Sequence, residues 1–223
     1  MKRLLAAIVI LILLMGCRAA DDPAVVAKLT ALGASFEKDS RGRTTKVTIG
    51  HLQESQAAGL NAGLSELAGL PLLESLNLSR LPLDDSGCEQ LAQLNGVLEL
   101  DASQSKVTDA GLQFLGQMVD LQMLDLKHTA IGDAGLEHIA GLDQLRVLNL
   151  TSTNISDEGL RHIAQLHAIE DLKLSNTGVT TKGLDHLTEL RNLKKLSVFK
   201  TRVPSHSTVT LQRIFPNVTI VID

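Results

Sequence analysis

LQMLDLKHTAIGDAGLEHIAGLDQ (residues 121–144), LRVLNLTSTNISDEGLRHIAQLHA (145–168) and IEDLKLSNTGVTTKGLDHLTELRN (169–192) are one 24-residue phrase written three times. Aligned, they share the frame L-x-x-L-x-L-x-x-T-x-[IV]-x-[DT]-x-G-L-x-H-[IL]-x-x-L. Self-similarity at a fixed period of this length is the signature of a solenoid, in which each repeat buries its apolar face only against its neighbours. Outward from these copies, repeats begin at Leu73, Val97, Leu121, Leu145, Ile169 and Leu193, each 24 residues after the last. Residues 49–72 form an irregular first repeat with a few extra residues, making about seven repeats over residues 49–216.

The frame resembles the leucine-rich repeat, L-x-x-L-x-L-x-x-N/C-x-L, with Thr129, Thr153 and Thr177 in place of the usual Asn or Cys. Its second half, D-x-G-L-x-H-[IL], resembles the helical back of the cysteine-containing subfamily found in the substrate-binding halves of F-box proteins. The resemblance implies an α/β horseshoe with a parallel concave sheet and helices on the convex side. L-x-x-L-x-L is then a short strand in each coil, with Leu124 and Leu126 and their equivalents pointing inward. The threonines stand where the chain leaves the sheet, and a hydroxyl there both donates and accepts for backbone that has lost its ladder partners. Thr108-Asp109, Ser156-Asp157 and Thr180-Thr181 offer oxygen acceptors at each helix start.

At the N-terminus, Met1-Lys2-Arg3 precedes an apolar run from Leu4 to Met15, too short for the ~20 residues that span a bilayer. The run ends Leu14-Met15-Gly16-Cys17, which resembles the bacterial lipobox and implies cleavage after residue 16 and a diacylglycerol on the Cys17 thiol. The expectation is a lipoprotein signal peptide over residues 1–16 and a membrane-anchored lipoprotein on the exported side of a cell envelope, periplasmic or at the surface. Residues 17–48 read as a short tether and a cap. Asp22-Pro23 starts a helix with Val25, Val26, Leu29 and Leu32 on one face, Gly33 ends it, and ASFEK and TTKVTI flank a turn at Ser40-Arg41-Gly42-Arg43. Residues 217–223 supply one more strand and cap the other end.

Composition narrows the function. Trp and Tyr are absent and there are only 4 Phe, which argues against aromatic platforms for sugars or nucleic acid. The formal charge is −4, and loss of Lys2 and Arg3 with a leader takes it to −6, so no nucleic-acid partner is expected. Cys88 occupies a leucine slot and reads as a buried, inert thiol. His138, His162 and His186 recur every 24 residues, but convex helices about 10 Å apart cannot share one ion whose Zn–N bonds are near 2 Å. No metal, cofactor or catalytic motif is expected.

The concave columns are the candidate site. The third strand position reads Ser75, Glu99, Met123, Val147, Asp171 and Lys195; the fifth reads Asn77, Asp101, Asp125, Asn149, Lys173 and Ser197; the seventh reads Ser79, Ser103, Lys127, Thr151, Ser175 and Phe199. Carboxylates lie toward the middle, and Lys173, Lys194, Lys195, Lys200 and Arg202 toward the C-terminal end. Met123 and Val147 form an apolar spot, with Asp101, Asp125, Lys127, Thr151, Asp171 and Lys173 around it, which is the anatomy of a protein-binding patch. The Asp101/Asp125 pair leaves a cation or acid–base reading open. Two functions follow: a non-enzymatic module that binds a protein or peptide on the concave sheet, or an architectural, self-associating repeat protein with no dedicated ligand.

Overall fold

The computed structural model describes residues 20–50, 52 and 59–222. The expected leader and Cys17 lie outside the described residues, as does most of the extra length in the first repeat.

A helix, α1 (Pro23–Ala31), opens the fold. The Asp22 carboxylate caps it by accepting from the Ala24 N–H at 2.8 Å, and Gly33, at φ +74°, turns the chain out of it. Two strands follow, β1 (Ala34–Lys38) and β2 (Thr44–Ile49), paired antiparallel. In the turn between them Asp39 accepts from the Arg41 and Arg43 N–H groups, both at 2.9 Å, and Gly42 takes φ +78°.

From β2 onward the sheet is parallel. Strands β3 (Ser75–Asn77), β4 (Glu99–Asp101), β5 (Met123–Asp125), β6 (Val147–Asn149), β7 (Asp171–Lys173), β8 (Lys195–Ser197) and β9 (Thr219–Val221) follow in chain order, nine strands among the described residues. Register is constant: Leu76, Leu100, Leu124, Leu148, Leu172, Leu196 and Ile220 lie side by side, 24 residues apart. Val47 of β2 stands beside Leu76, 29 residues on, so five extra residues separate the first coil from the second. The strand TTKVTI thus belongs both to the hairpin and to the first coil, and the repeating sheet begins before residue 49.

Helices α2 (Leu60–Gly63), α3 (Asp85–Leu91), α4 (Asp109–Leu115), α5 (Asp133–Ile139), α6 (Asp157–Ile163), α7 (Thr181–Leu184) and α8 (Thr208–Ile214) form the convex layer. The core between layers is almost pure aliphatic. Leu124, Leu126, Ile139, Leu148, Leu150, Ile163, Leu172 and Leu174 are each at most 1% exposed, worth roughly 1.5–3 kcal/mol apiece by area. At one open end α1 places Val25 and Leu29 against Leu64 and Leu67; at the other, Leu211, Phe215 and Val218 close the stack.

Three ladders of repeated bonds run along the stack. In the first, the Thr129, Thr153 and Thr177 hydroxyls each donate to the carbonyl three residues back (Leu126, Leu150, Leu174) at 2.6 Å, Thr201 does so at 2.7 Å, and Ser105 does so to Ala102 at 2.6 Å. The bond stays within each coil rather than crossing to a neighbour.

The second ladder crosses between coils. Asp85 accepts from the Thr108 N–H (2.8 Å) and hydroxyl (2.7 Å), Asp133 from the Ser156 N–H (2.8 Å) and hydroxyl (2.6 Å), and Asp157 from the Thr180 N–H (2.8 Å) and hydroxyl (2.6 Å). Asp109 meets Gly132, which has only its N–H to give, at 2.7 Å. This staple explains the glycine in D-x-G-L. A Cβ on Gly111 or Gly135 would fall 2.5 Å from Oδ1 of Asp85 or Asp109, and Gly159 and Gly183 meet Asp133 and Asp157 in the same way.

The third ladder is a column of left-handed residues. Arg80, Gln104, His128, Ser152, Asn176 and Lys200 all have φ between 54° and 63°. The N–H groups of Arg80, Gln104, His128, Ser152 and Asn176 reach across to the next coil, as from His128 to the Thr151 carbonyl at 2.9 Å. The strain of such a residue is held in place by that bond.

Candidate functional site

The outward residues of β3 to β8 form the concave face. Met123 and Val147 are register partners on β5 and β6, so the expected apolar pair is adjacent; Met123 is 39% exposed and Val147 partly buried. Val147 is in turn beside Asp171, and Asn149 beside Lys173. Lys127 and Thr151 stand one alternation further along the same two coils. The eight candidate residues therefore share one face.

Two of the carboxylates among them, Asp101 and Asp125, also have structural tasks that the spacing did not reveal. Asp101 Oδ1 accepts from the Ser103 N–H at 3.0 Å and Asp125 Oδ1 from the Lys127 N–H at 2.9 Å; Asn77 and Asn149 do the same for Ser79 and Thr151 at 3.0 and 3.1 Å. From β3 to β6 the fifth column is thus a run of Asx turns that ends each strand. Asp125 Oδ2 also accepts from Asn149 Nδ2 at 2.8 Å, linking β5 to β6. The signal was present: Asn or Asp recurs at that position in four consecutive coils, two residues before the chain leaves the sheet. Asp101 and Asp125 are neighbours in register, but their first oxygens are committed to backbone. Among the described residues no group of three or more His, Cys, Asp or Glu is placed to hold a metal ion.

A hollow of about 560 Å³ on this face runs along the strand ends from β2 to β6. Asn77, Arg80, Asp101, Gln104, Asp125 and Lys127 are among its lining. Three candidates, Asp101, Asp125 and Lys127, therefore share a polar hollow, while Met123 and Val147 stand two residues earlier on β5 and β6, outside its lining. Along the rim where strands begin, Glu170 bridges three coils, accepting from Arg146 Nε at 2.8 Å and from Lys194 Nζ at 2.6 Å. The Lys194 and Arg146 hydrogen bonds, in that order, hold its carboxyl below the usual range.

Cys88 is fully enclosed, and burial, then the Asp85 and Asp84 charges, push its thiol up to about 12. On the convex side His138 is exposed and His162 and His186 are partly so.

Comparison with known proteins bears on the fold. A family model described as Leucine Rich repeat matches residues 119–140 and 145–164. Comparison with curated proteins gives no match. Among solved structures, an internalin of Listeria monocytogenes is similar at 19% identity and TM-score 0.56, over 70% of this chain and 43% of that one. A leucine-rich repeat protein of Leptospira interrogans is similar at 22% identity and TM-score 0.51, over 70% and 44%. The chain thus spans less than half the length of these two proteins. Internalin C2 of Listeria monocytogenes matches over 91% of this chain and 93% of its own, at 18% identity and TM-score 0.55. Repeat, register and these likenesses together make the fold a leucine-rich-repeat solenoid.

Proposed function

We propose that this chain is a non-enzymatic protein-binding module, held at a bacterial cell envelope by a lipid on Cys17, that grips a protein or peptide on its concave sheet. The observation that carries the reading is the register pair Met123–Val147: two outward apolar side chains at the centre of a rigid face, bordered by charges of both signs. A solenoid sheet offers a broad, preformed surface, so little ordering entropy is lost on docking. An apolar centre this small supports micromolar rather than nanomolar affinity, with the surrounding charge selecting the partner.

The test uses two pairs of variants in the full chain, purified from membranes in detergent. Val147→Asp with Lys127→Glu is expected to lose a co-purifying protein while leaving the thermal midpoint within a few degrees. Asp125 is unsuitable for this purpose, because it caps the Lys127 N–H and ties Asn149. His138→Ala with His162→Ala is expected to retain the partner; loss only in this convex pair would place the site on the other face. For the anchor, Cys17→Ser is expected to abolish incorporation of labelled fatty acid, and equal labelling of both proteins would refute lipidation.

A further inference from the structure

The concave face is electrically divided. Glu99, Asp101 and Asp125 lie on β4 and β5, whereas Lys173 and Lys195 lie on β7 and β8, with Lys200 and Arg202 just beyond β8. Three cations along the edge where strands begin are matched, Lys46 with Glu37 at 2.9 Å and Arg146 and Lys194 with Glu170, while Lys127 stands beside the carboxylates of β4 and β5. Among the described residues no carboxylate stands within ion-pair distance of Lys173, Lys195, Lys200 or Arg202. Asp171 is the register partner of Lys195, yet its Oδ1 is enclosed without a hydrogen-bond partner.

An aromatic ring stands among these cations. Lys195 and Ser197 alternate along β8 with Phe199 two residues beyond its end, and Lys173 is in register with Ser197, so it lies diagonally between Lys195 and Phe199. Phe199 is 39% exposed, and Lys200 Nζ sits 5.2 Å from its ring centroid. Like charges gathered on a stiff sheet repel one another, and an anionic ligand relieves that repulsion.

We propose that the ligand presents a short acidic segment with one apolar side chain, docked across β7 and β8 on Lys173, Lys195, Phe199 and Lys200. This rests on the concave-face reading above and names the chemistry of its partner. An extended segment fits the spacing, since its alternate side chains recur every ~6.6 Å, close to the diagonal between neighbouring strands. A nucleic acid or an anionic membrane is disfavoured, because either would also cover the carboxylates of β4 and β5. A segment of a few residues engages the basic end alone.

The probe is a fluorescein-labelled peptide, Glu-Asp-Glu-Phe-Glu-Asp-Glu, titrated with the full chain in detergent and followed by anisotropy. Binding is expected to weaken about tenfold or more with Lys195→Glu and Lys200→Glu together. Phe199→Ala is expected to weaken the Phe peptide but not its Ala counterpart. Lys182→Glu with Arg213→Glu removes the same charge from the convex helices α7 and α8 and is expected to change binding less than about twofold. Equal effects of the two charge reversals, or no binding of the acidic peptide, overturn the inference. So does binding to phosphatidylglycerol vesicles in place of the peptide. Should a Lys-Arg-Lys-Phe-Lys-Arg-Lys peptide bind instead and be lost in Val147→Lys, the concave face remains the site and only the acidic ligand is refuted. The co-purification test above decides the concave reading independently of either peptide.

Discussion

Replacing Gly159 by Ala sets two effects of opposite sign against each other. In an ordinary helix interior the change gains about 1 kcal/mol, because alanine has the better helix propensity. Here the new Cβ would collide with Asp133 Oδ1, lie 2.9 Å from Leu136 Cδ1 and 3.2 Å from Ile155 Cγ2. Crowding of this kind costs about 1–3 kcal/mol, and moving the Asp133 carboxylate aside also weakens its two bonds to Ser156. The expected net effect is about 2 kcal/mol of destabilisation. Asp133→Ala alone loses both bonds to a charged acceptor and leaves the Ser156 N–H without its partner, about 2–4 kcal/mol. In the double variant the collision with Asp133 is gone, so adding Gly159→Ala should then cost nearly nothing or stabilise. Urea unfolding of the four proteins, followed by circular dichroism, gives a coupling energy expected to exceed about 1.5 kcal/mol. Additivity within about 0.5 kcal/mol, or a Gly159→Ala protein more stable than wild type, would refute the claim that this glycine exists to admit the carboxylate.

Further outcomes can be measured on the same protein. Thr153→Val removes the donor to the Leu150 carbonyl at 2.6 Å and should lower stability by about 1–3 kcal/mol; an unchanged urea midpoint would show the hydroxyl is not used. His128→Gly relieves a left-handed residue at φ 55° and should be neutral or stabilising by up to about 1 kcal/mol, whereas His128→Val should cost more than that; equal effects would contradict the strain. The Cys88 thiol, raised to about 12 by burial, should react with a disulfide reagent at pH 8 only as the chain unfolds; rapid labelling of the native protein would contradict its enclosure. Asp39 is lowered to about 2, chiefly by its side-chain hydrogen bond to Arg43. A depressed carboxyl adds stability above its unfolded pKa near 4, and that stability is lost as pH falls through 4 toward 2. Asp39→Asn should flatten the acid limb of the stability curve in that window, and an unaltered limb would remove the ion pair from the account.

The repeat positions were legible because period and burial are tied together. A leucine every 24 residues can only be buried by the same leucine in the next coil, which fixes strand, register and face at once. That is why Met123 and Val147 could be paired on one face from spacing alone. The left-handed column was not legible, since Arg80, Gln104, His128, Ser152, Asn176 and Lys200 share no chemistry; in the first five a hydrogen bond to the next coil, rather than a glycine, accompanies the positive φ. The Asp–hydroxyl staple was half legible. Ser156 and Thr180 read as helix caps, and they do accept from the Glu158 and Lys182 N–H groups, at 3.4 and 3.2 Å. Their shorter bonds run to the preceding coil, at a separation of 23 residues that a search for 24 passes over. Asp101 and Asp125 show the same limit: outward position was readable, but their tie to the turn backbone depends on geometry within a single coil.

The central claim is that a protein partner lies against the concave sheet, and contact mapping in intact cells tests it most directly. A photo-crosslinking amino acid placed at Val147 should yield a discrete higher-mass adduct on irradiation. The same group at His138, exposed on α5 of the convex side, should yield none. Adducts from His138 with none from Val147 would contradict the account.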